Sequence, residues 1–297
     1  MKLLGTLVSI AVLSLGAQAH GGMPVPVKMK CPVGGKSFTY TSTASMSQWG
    51  DRPDGKPYGS WTFPMPLPEC PDNGLVVYRE FSRDETKALK PLLATPEYGQ
   101  LRSTETPYYR AYWLMGKLGD PAENQIWVLQ QAAWESDEDP ARKARYQEEF
   151  VARARTLPHP EAGQDDLLWI VTELRAANAL RELGRFDEAL QLAEAIPLTS
   201  LDVAVPAEKV TGTTPSGLGK YIENSAEIRA AQSRRSWMDY AASLKAVIAR
   251  RDSSSEPLDM IPRRVALRRC AGYPADTPEY QTVCASAVKP AEPDKQN

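Results

Sequence analysis

The sequence of 297 residues predicts an α+β protein that is mostly helical: a small β-module closed by a disulfide, followed by an irregular domain of paired helices. Two observations predict this class. Residues 20–81 are rich in Pro, Gly, Ser, Thr and aromatic residues and show no sustained helical period, which is typical of short strands and turns. From residue 82 onward, helix-capping sequences recur and the apolar spacing becomes helical.

The N-terminus has the three parts of a secretory signal peptide. Lys2 supplies a positive charge, residues 3–15 are mostly apolar, and residues 17–19 (Ala-Gln-Ala) form a small-x-small cleavage site. We expect cleavage after Ala19, so that the mature chain begins at His20 and works in the periplasm or outside the cell. No later segment has the roughly 20 apolar residues of a membrane helix, so no membrane-spanning segment is expected.

The remaining sequence divides into elements and segments. The predicted strands lie at 25–29, 37–41 and 75–80, and the predicted helices lie near 83–93, 107–118, 121–135, 140–156, 165–183, 186–196, 222–250, 260–270 and 278–287. The predicted segments are the signal peptide (1–19), the β-module (20–81), the helical domain (82–197), a linker (198–221) and a C-terminal helical segment (222–297).

Capping sequences support the helix starts. Ser82 and Glu85 have the spacing of a capping box, in which a hydroxyl and a carboxylate bind N–H groups that the first turn leaves unpaired. Elsewhere a capping side chain precedes a proline, which is well tolerated at the first helical position. These pairs are Thr95-Pro96, Thr106-Pro107, Asp120-Pro121, Asp139-Pro140 and Thr277-Pro278.

One predicted helix pair has a recognisable packing pattern. The small residues Ala177 and Ala189 would let two antiparallel helices approach closely, Gly184 would end the first helix, and Phe186 would fill the turn. This pattern resembles a tetratricopeptide repeat. It implies an irregular helical-repeat domain with a concave face.

The four cysteines allow three pairings, and in an exported protein an even number favours disulfides. We expect Cys31 to pair with Cys70 and Cys270 with Cys284, because each pair closes a local segment. An alternative for the first pair is a metal site formed with His20, since both cysteines begin Cys-Pro turns like those of zinc knuckles. The positions where a Cys-x-x-Cys motif would place the missing ligands hold glycine and asparagine, so no cofactor is expected.

The order of these motifs resembles a known family. The chain resembles the bacterial "domain of unknown function 2225" family in three successive features. These are Cys31-Pro32 with Gly35-Lys36, a second Cys-Pro turn at Cys70 that leads into an extended segment, and helices with a tetratricopeptide-like end. The resemblance covers roughly residues 27–197. It implies a zinc-ribbon-like module joined to helical repeats, with no settled activity. Because two knuckle ligands are missing here and the family's members are cytosolic, zinc binding is not carried over to this exported chain.

The sequence does not support a catalytic site. His20 and His159 are the two histidines of the chain, and no serine lies in a Gly-x-Ser-x-Gly elbow. An N-terminal His20 could chelate copper as in lytic polysaccharide monooxygenases, but those enzymes need a second histidine and rest on a β-sandwich. No catalytic residue is therefore predicted.

Charge and composition leave a binding function as the leading hypothesis. The balance of 35 basic and 37 acidic residues argues against a nucleic-acid-binding protein. Residues 220–270 carry eleven basic and six acidic side chains, which suggests weak contact with an anionic surface or a solvated helix face. We expect a non-enzymatic interaction or scaffold protein that binds a peptide or protein on its helical face. The alternative is a metal-handling protein or an enzyme that acts on cell-envelope material through its N-terminal module and His20.

Overall fold

The computed structural model describes residues 22–161, 163–213, 220–278 and 280–285, with only the backbone of Lys220 and Tyr221. The predicted signal peptide and His20 lie outside the described residues. Within them, the chain is α+β and mostly helical, as the sequence predicts. The helices are α1 (Arg83–Leu93), α2 (Pro96–Thr104), α3 (Pro107–Leu118), α4 (Ala122–Glu135), α5 (Pro140–Ala154), α6 (Leu167–Glu182), α7 (Phe186–Ala195), α8 (Ser225–Ala249) and α9 (Arg263–Arg269).

The described strands pair as separate two-stranded antiparallel sheets. They are β1 (Pro24–Lys30) with β2 (Ser37–Thr43), β3 (Gln48–Asp51) with β4 (Pro57–Gly59), and β5 (Val210–Thr213) with β6 (Lys220–Ile222). The predicted strand at 75–80 is wrong, because that segment makes one isolated bridge between Glu69 and Val76. Leu75 and Val76 are both fully buried. Consecutive side chains therefore enter the core, which a strand with one solvated face does not allow.

The C-terminal part contains a small hydrophobic core formed by Leu258, Ile261, Ala266 and Cys284. Helix α9 is followed by a 3₁₀ turn (Cys270–Gly272) and a π-helical turn (Tyr280–Cys284). The disulfide between Cys270 and Cys284 joins these two turns, as predicted. Upstream, the described residues 198–213 of the predicted linker include strand β5 and a fully buried Leu201, so this part has more regular structure than its composition suggests.

Most of the predicted helix caps are present. The Ser82 hydroxyl accepts the N–H of Glu85, whose carboxylate accepts the N–H of Ser82. Asp120 is the exception, since α4 begins at Ala122 without a side-chain cap. The Asp120 carboxylate instead accepts hydrogen bonds from Tyr78 and Arg79, so it ties the extended segment before α1 to the helical domain. The caps at Thr95, Thr106 and Asp139 accept the expected backbone N–H groups.

Helices α3 to α8 form a continuous array in which each packs against the next. The helix pair α6–α7 contains the predicted contact residues. Ala177 and Ala189 are both fully buried. Gly184 follows α6 with a φ of +76°. Phe186 packs at the edge of the main core, to which helices α3 to α8 all contribute buried residues. Helices that touch through alanines can approach closely, so any larger side chain here would have to displace backbone.

We expect Ala189→Glu to lower the free energy of unfolding by well over about 1 kcal/mol, because it overpacks this contact and buries an unpaired charge. Ala195→Glu is the matched control, since Ala195 lies on the same helix and is exposed. Urea unfolding would measure both changes. A loss for Ala189→Glu below about 0.5 kcal/mol, or one equal to the control, would show that α6 and α7 do not pack in this way.

A second core crosses the predicted boundary between the β-module and the helical domain at 81/82. Cys31, Cys70 and Leu75 from the module pack with Leu89 and Leu114 from the helices. The disulfide between Cys31 and Cys70 lies inside this core. The two predicted domains therefore share buried apolar surface, and the module is fixed to the helices.

Candidate functional site

The turn between β3 and β4 lies in a groove of the helical array. Its residues Arg52, Pro53 and Asp54 are buried. The groove walls come from α4, α5, α6 and α8, which contribute Gln130, Gln147, Arg175 and Tyr240 respectively. A cavity of about 20 Å³ remains beside the turn, which is room for about one water molecule. The turn thus fills the groove almost completely.

The turn is stabilised by its own hydrogen bonds. The N–H of Arg52 donates to the carbonyl of Lys56 at 2.9 Å, and the N–H of Gly55 donates to the carbonyl of Arg52 at 2.8 Å. The Asp54 carboxylate accepts the N–H of Lys56 at 2.9 Å and the Nε of Arg52 at 3.1 Å. Pro53 fixes φ at the corner. These bonds give the turn one shape before any contact with the helices is counted.

The helices bind this turn through its main chain. The Tyr240 hydroxyl donates to the carbonyl of Pro53 at 2.6 Å, and the Arg175 guanidinium donates to the same oxygen. The Gln130 amide donates to the next carbonyl, that of Asp54. Three donors from three helices therefore converge on two consecutive carbonyl groups. Arg175 is held in place by the rings of Trp237 and Tyr240, whose centroids lie 4.9 and 5.1 Å from its Cζ.

Charge complementarity adds to the main-chain contacts. The Asp137 carboxylate, in the link between α4 and α5, accepts from Arg52 at 2.8 and 3.2 Å and from Lys56 at 2.6 Å. Lys143 of α5 also donates to it, at 3.0 Å. Burial alone would raise the pKa of Asp137, but the three cations, Arg52 first, hold that pKa well below its ordinary value. Asp137 is thus ionised and shared between the turn and the groove.

The polar network continues across the groove floor. Lys143 also lies 3.3 Å from Glu182 of α6, and Asn178 and Gln147 donate to the same carboxylate at 2.9 and 2.8 Å. Arg181 is fully buried and donates to Asn178 and to the carbonyls of residues 252 and 254. The turn, helices α5 and α6 and the segment after α8 therefore belong to one hydrogen-bonded system.

Gly55 is required by the close fit of the turn. Its φ is +87°, and an added Cβ would lie 3.0 Å from Nη2 of Arg175. Gly163 has nearly the same φ, +88°, with open space around it. Substituting either glycine imposes backbone strain of about 1 kcal/mol, and at Gly55 a steric contact is added.

We expect Gly55→Ala to destabilise the fold by at least about 1 kcal/mol more than Gly163→Ala, because only the first change pushes against Arg175. Urea unfolding of the two variants measures the difference directly. Equal losses would mean that the turn can shift within the groove at no cost.

The predicted metal alternative loses two of its ligands. Cys31 and Cys70 are bonded to each other, with 5.6 Å between their Cα atoms, so their sulfur atoms are not thiolates. His20 lies outside the described residues. His159 lies in an exposed loop, where its ring contacts that of Trp169 at an interplanar angle of 59°, with 4.4 Å between centroids. Within the described ranges, no cluster of three His, Cys, Asp or Glu side chains has the geometry to hold a metal ion.

Four of the basic side chains described at 220–270 are paired with acids of the same chain. A paired guanidinium attracts an outside anion weakly, and the contact with an anionic surface stays a prediction. The ion pairs join Arg234 to Asp165 and Asp166, Arg250 to Asp252 and Asp259, Arg251 to Asp187, and Arg269 to Glu256.

An open aromatic groove lies on another face. It encloses about 570 Å³ and is lined in part by Tyr40, Tyr78 and Phe81. Arg79 in its wall is bound by Glu85 at 2.6 Å and by Asp120 at 2.8 Å. The Arg79 guanidinium is therefore already bound by two carboxylates of the same chain.

No helix in the described part of the chain combines the length and apolar character needed to cross a bilayer. Comparisons with protein-family models, with curated proteins and with solved structures found no match to this chain. The site is therefore interpreted from its own geometry.

The groove and its turn were not predicted from the sequence. A local signal exists, since Arg52-Pro53-Asp54-Gly55 has the proline, aspartate and glycine of a tight turn. That signal predicts a turn on the surface. The contacts that bury it come from residues such as Gln130 and Tyr240, which are 76 and 187 positions away from their partners in the sequence.

Proposed function

We propose that this chain is a non-enzymatic interaction or scaffold protein that binds a polypeptide segment of a partner in its helical groove. The observation that carries the proposal is the convergence of Gln130, Arg175 and Tyr240 on consecutive main-chain carbonyls. Every residue has such a carbonyl, so donors placed in this way recognise a polypeptide as such. The groove already holds one polypeptide turn, supplied by the same chain.

The proposed compartment is extracytoplasmic, most specifically the periplasm. Two disulfides are compatible with an oxidising environment, and the predicted signal peptide at 1–19 supports export. The relationship to the domain of unknown function 2225 family is also a proposal, supported by the order of the two Cys-Pro turns and the following helices. We also propose that α6 and α7 form a tetratricopeptide-like pair, which the burial of Ala177 and Ala189 supports.

A peptide-display library tests the proposed function. The library is screened against the full mature chain and against its Gly55→Ala variant, and selected peptides are retested on chains that carry Tyr240→Phe or Arg175→Met. We expect peptides whose affinity falls at least tenfold when either groove donor is lost, because each bond to a main-chain carbonyl then disappears. Tyr40→Phe is the matched control, since Tyr40 lies on the other groove.

The proposed function would be contradicted by two results. One is a screen that yields no peptide on either chain. The other is a set of peptides whose affinity is unchanged by Tyr240→Phe and Arg175→Met, which would place recognition on a different surface.

A further inference from the structure

We infer that the ligand of this groove is a β-turn flanked by two cations, and that the chain's own turn at 52–56 is a built-in occupant which a partner's turn displaces. The inference rests on the proposed function, and it assigns both the chemistry of the partner segment and the regulation of the site. It is argued from the charges of the groove, the fit of the turn and the anchoring of its hairpin.

Without its turn, the groove would leave the Asp137 carboxylate short of cations. Asp137 takes two cations from the turn, Arg52 and Lys56, and one from the groove, Lys143. Lys143 is also shared with Glu182. If the turn leaves, Asp137 keeps only Lys143 of its three cations, whereas Glu182 also has Arg181 at 3.5 Å. A ligand that brings positive charge to Asp137 is therefore favoured. The turn supplies its two cations four residues apart, on either side of the Pro-Asp corner.

The second cation also completes a helix end. Lys56 donates to the carbonyl of Trp134 at 3.0 Å, in the last turn of α4. The C-terminus of a helix presents unpaired carbonyls and a partial negative charge, so a lysine is favoured there. The two cations of the ligand thus have different tasks: Arg52 makes a bidentate contact with Asp137, and Lys56 binds both Asp137 and the end of α4.

The shape of the site selects a tight turn. In the chain's own turn the Gly55 N–H donates to the Arg52 carbonyl, and the two carbonyls between them, of Pro53 and Asp54, accept from donors on different helices. Gly55, which faces Arg175, has a φ of +87°, and a Cβ there would lie 3.0 Å from Nη2 of Arg175. A partner segment therefore needs glycine at the position of Gly55, or another residue that adopts the left-handed conformation while leaving Arg175 in place.

The hairpin body remains attached when the turn leaves. Tyr58 donates to Glu256 at 2.7 Å, and Gly50 packs directly on Pro262. These contacts lie outside the groove, on the C-terminal segment. A tethered turn competes with any free ligand at a high effective concentration, so the apparent affinity of a partner is reduced by the small fraction of molecules with an open groove.

A labelled copy of the turn tests this inference on the full mature chain. The probe is a cyclised fluorescent peptide with the sequence of residues 47–60, and fluorescence anisotropy reports its binding. We expect it to bind the Gly55→Ala chain at least tenfold more tightly than the wild-type chain or the Gly163→Ala chain, because only the first variant weakens the built-in occupant. A peptide with alanine in place of both cations, Arg52 and Lys56, should bind the Gly55→Ala chain at least tenfold more weakly than the parent peptide.

Other outcomes overturn the inference in distinguishable ways. Equal binding to all three chains would mean that the turn does not regulate the groove, and equal binding of both peptides would mean that cations are not selected. Library peptides that depend on Tyr240 but tolerate loss of both cations would leave the proposed function standing and overturn this inference. A Gly55→Ala chain that dimerises and excludes the peptide would assign the site to a second copy. If circular dichroism shows that Gly55→Ala does not fold, Lys56→Ala takes its place with the same expected result.

Discussion

Replacing Asp137 by alanine is expected to lower the free energy of unfolding by about 3 kcal/mol, because three cations lose the carboxylate that they share. Arg52 and Lys143 are mostly buried, with 8% and 13% of their side-chain surface exposed, so water cannot replace the missing partner. Glu138→Ala is the matched control, since Glu138 is the next residue and is exposed. We expect that control to change stability by less than about 0.5 kcal/mol.

The same carboxylate predicts a dependence of stability on pH. The pKa of Asp137 is lower in the folded chain than in the unfolded chain, so its contribution is fully present above about pH 5 and is lost as pH falls through about 4 and below. Urea unfolding of the wild-type and Asp137→Ala chains at a series of pH values measures this. We expect the difference between the two chains to shrink as the solution becomes more acidic. A difference that stays constant from pH 7 to pH 3 would show that Asp137 is not held ionised by these cations.

The second large effect is expected from the disulfide between Cys31 and Cys70. Removing it by double alanine substitution should cost about 4 kcal/mol in the chain-entropy model, since the bonded residues are 39 apart in sequence. The Cys270–Cys284 bond joins residues only 14 apart, and its removal should cost about 3 kcal/mol by the same relation. The first bond also lies in the core shared by the β-module and the helices, so its loss also disturbs packing there.

Two measurements check the disulfide prediction. Non-reducing peptide mapping of the purified protein should recover the two predicted pairs, and urea unfolding should rank the two double variants in the stated order. A free Cys31 in a fully folded chain would contradict the first point. A larger loss for the Cys270 and Cys284 variant would mean that loop closure is not the dominant contribution.

Local sequence patterns predicted most of the helices of this fold, but they missed helix α2 and the strands β3 to β6. The capping box at Ser82 and the Thr-Pro starts at Thr95 and Thr106 are satisfied within a few residues of the chain, so they depend little on tertiary structure. The failure at Asp120 shows the limit of such patterns. Its carboxylate has the right spacing for a cap, but Arg79 and Tyr78 arrive from a distant segment and bind it instead.

The candidate site could not be predicted because it is assembled from distant segments. A proline, an aspartate and a glycine at 53–55 predict a turn, and turns are usually found on the surface. The buried Arg52 pairs with Asp54 of its own turn and also with Asp137, which lies 85 residues along the chain. The sequence around Arg52 does not indicate that Asp137 will lie beside it, nor the reverse. The groove therefore depends on the packing of the whole helical array.

Hydrogen exchange at the turn tests the central claim most directly. The N–H groups of Arg52, Gly55 and Lys56 are all bonded within the turn. Their exchange in the full chain can be followed with and without a saturating library-selected peptide that depends on Tyr240. If the groove is a polypeptide-binding site that holds its own turn, the peptide should accelerate exchange at these three positions while the rest of the helical array stays protected. Unchanged protection at 52–56 with the peptide fully bound would contradict the account.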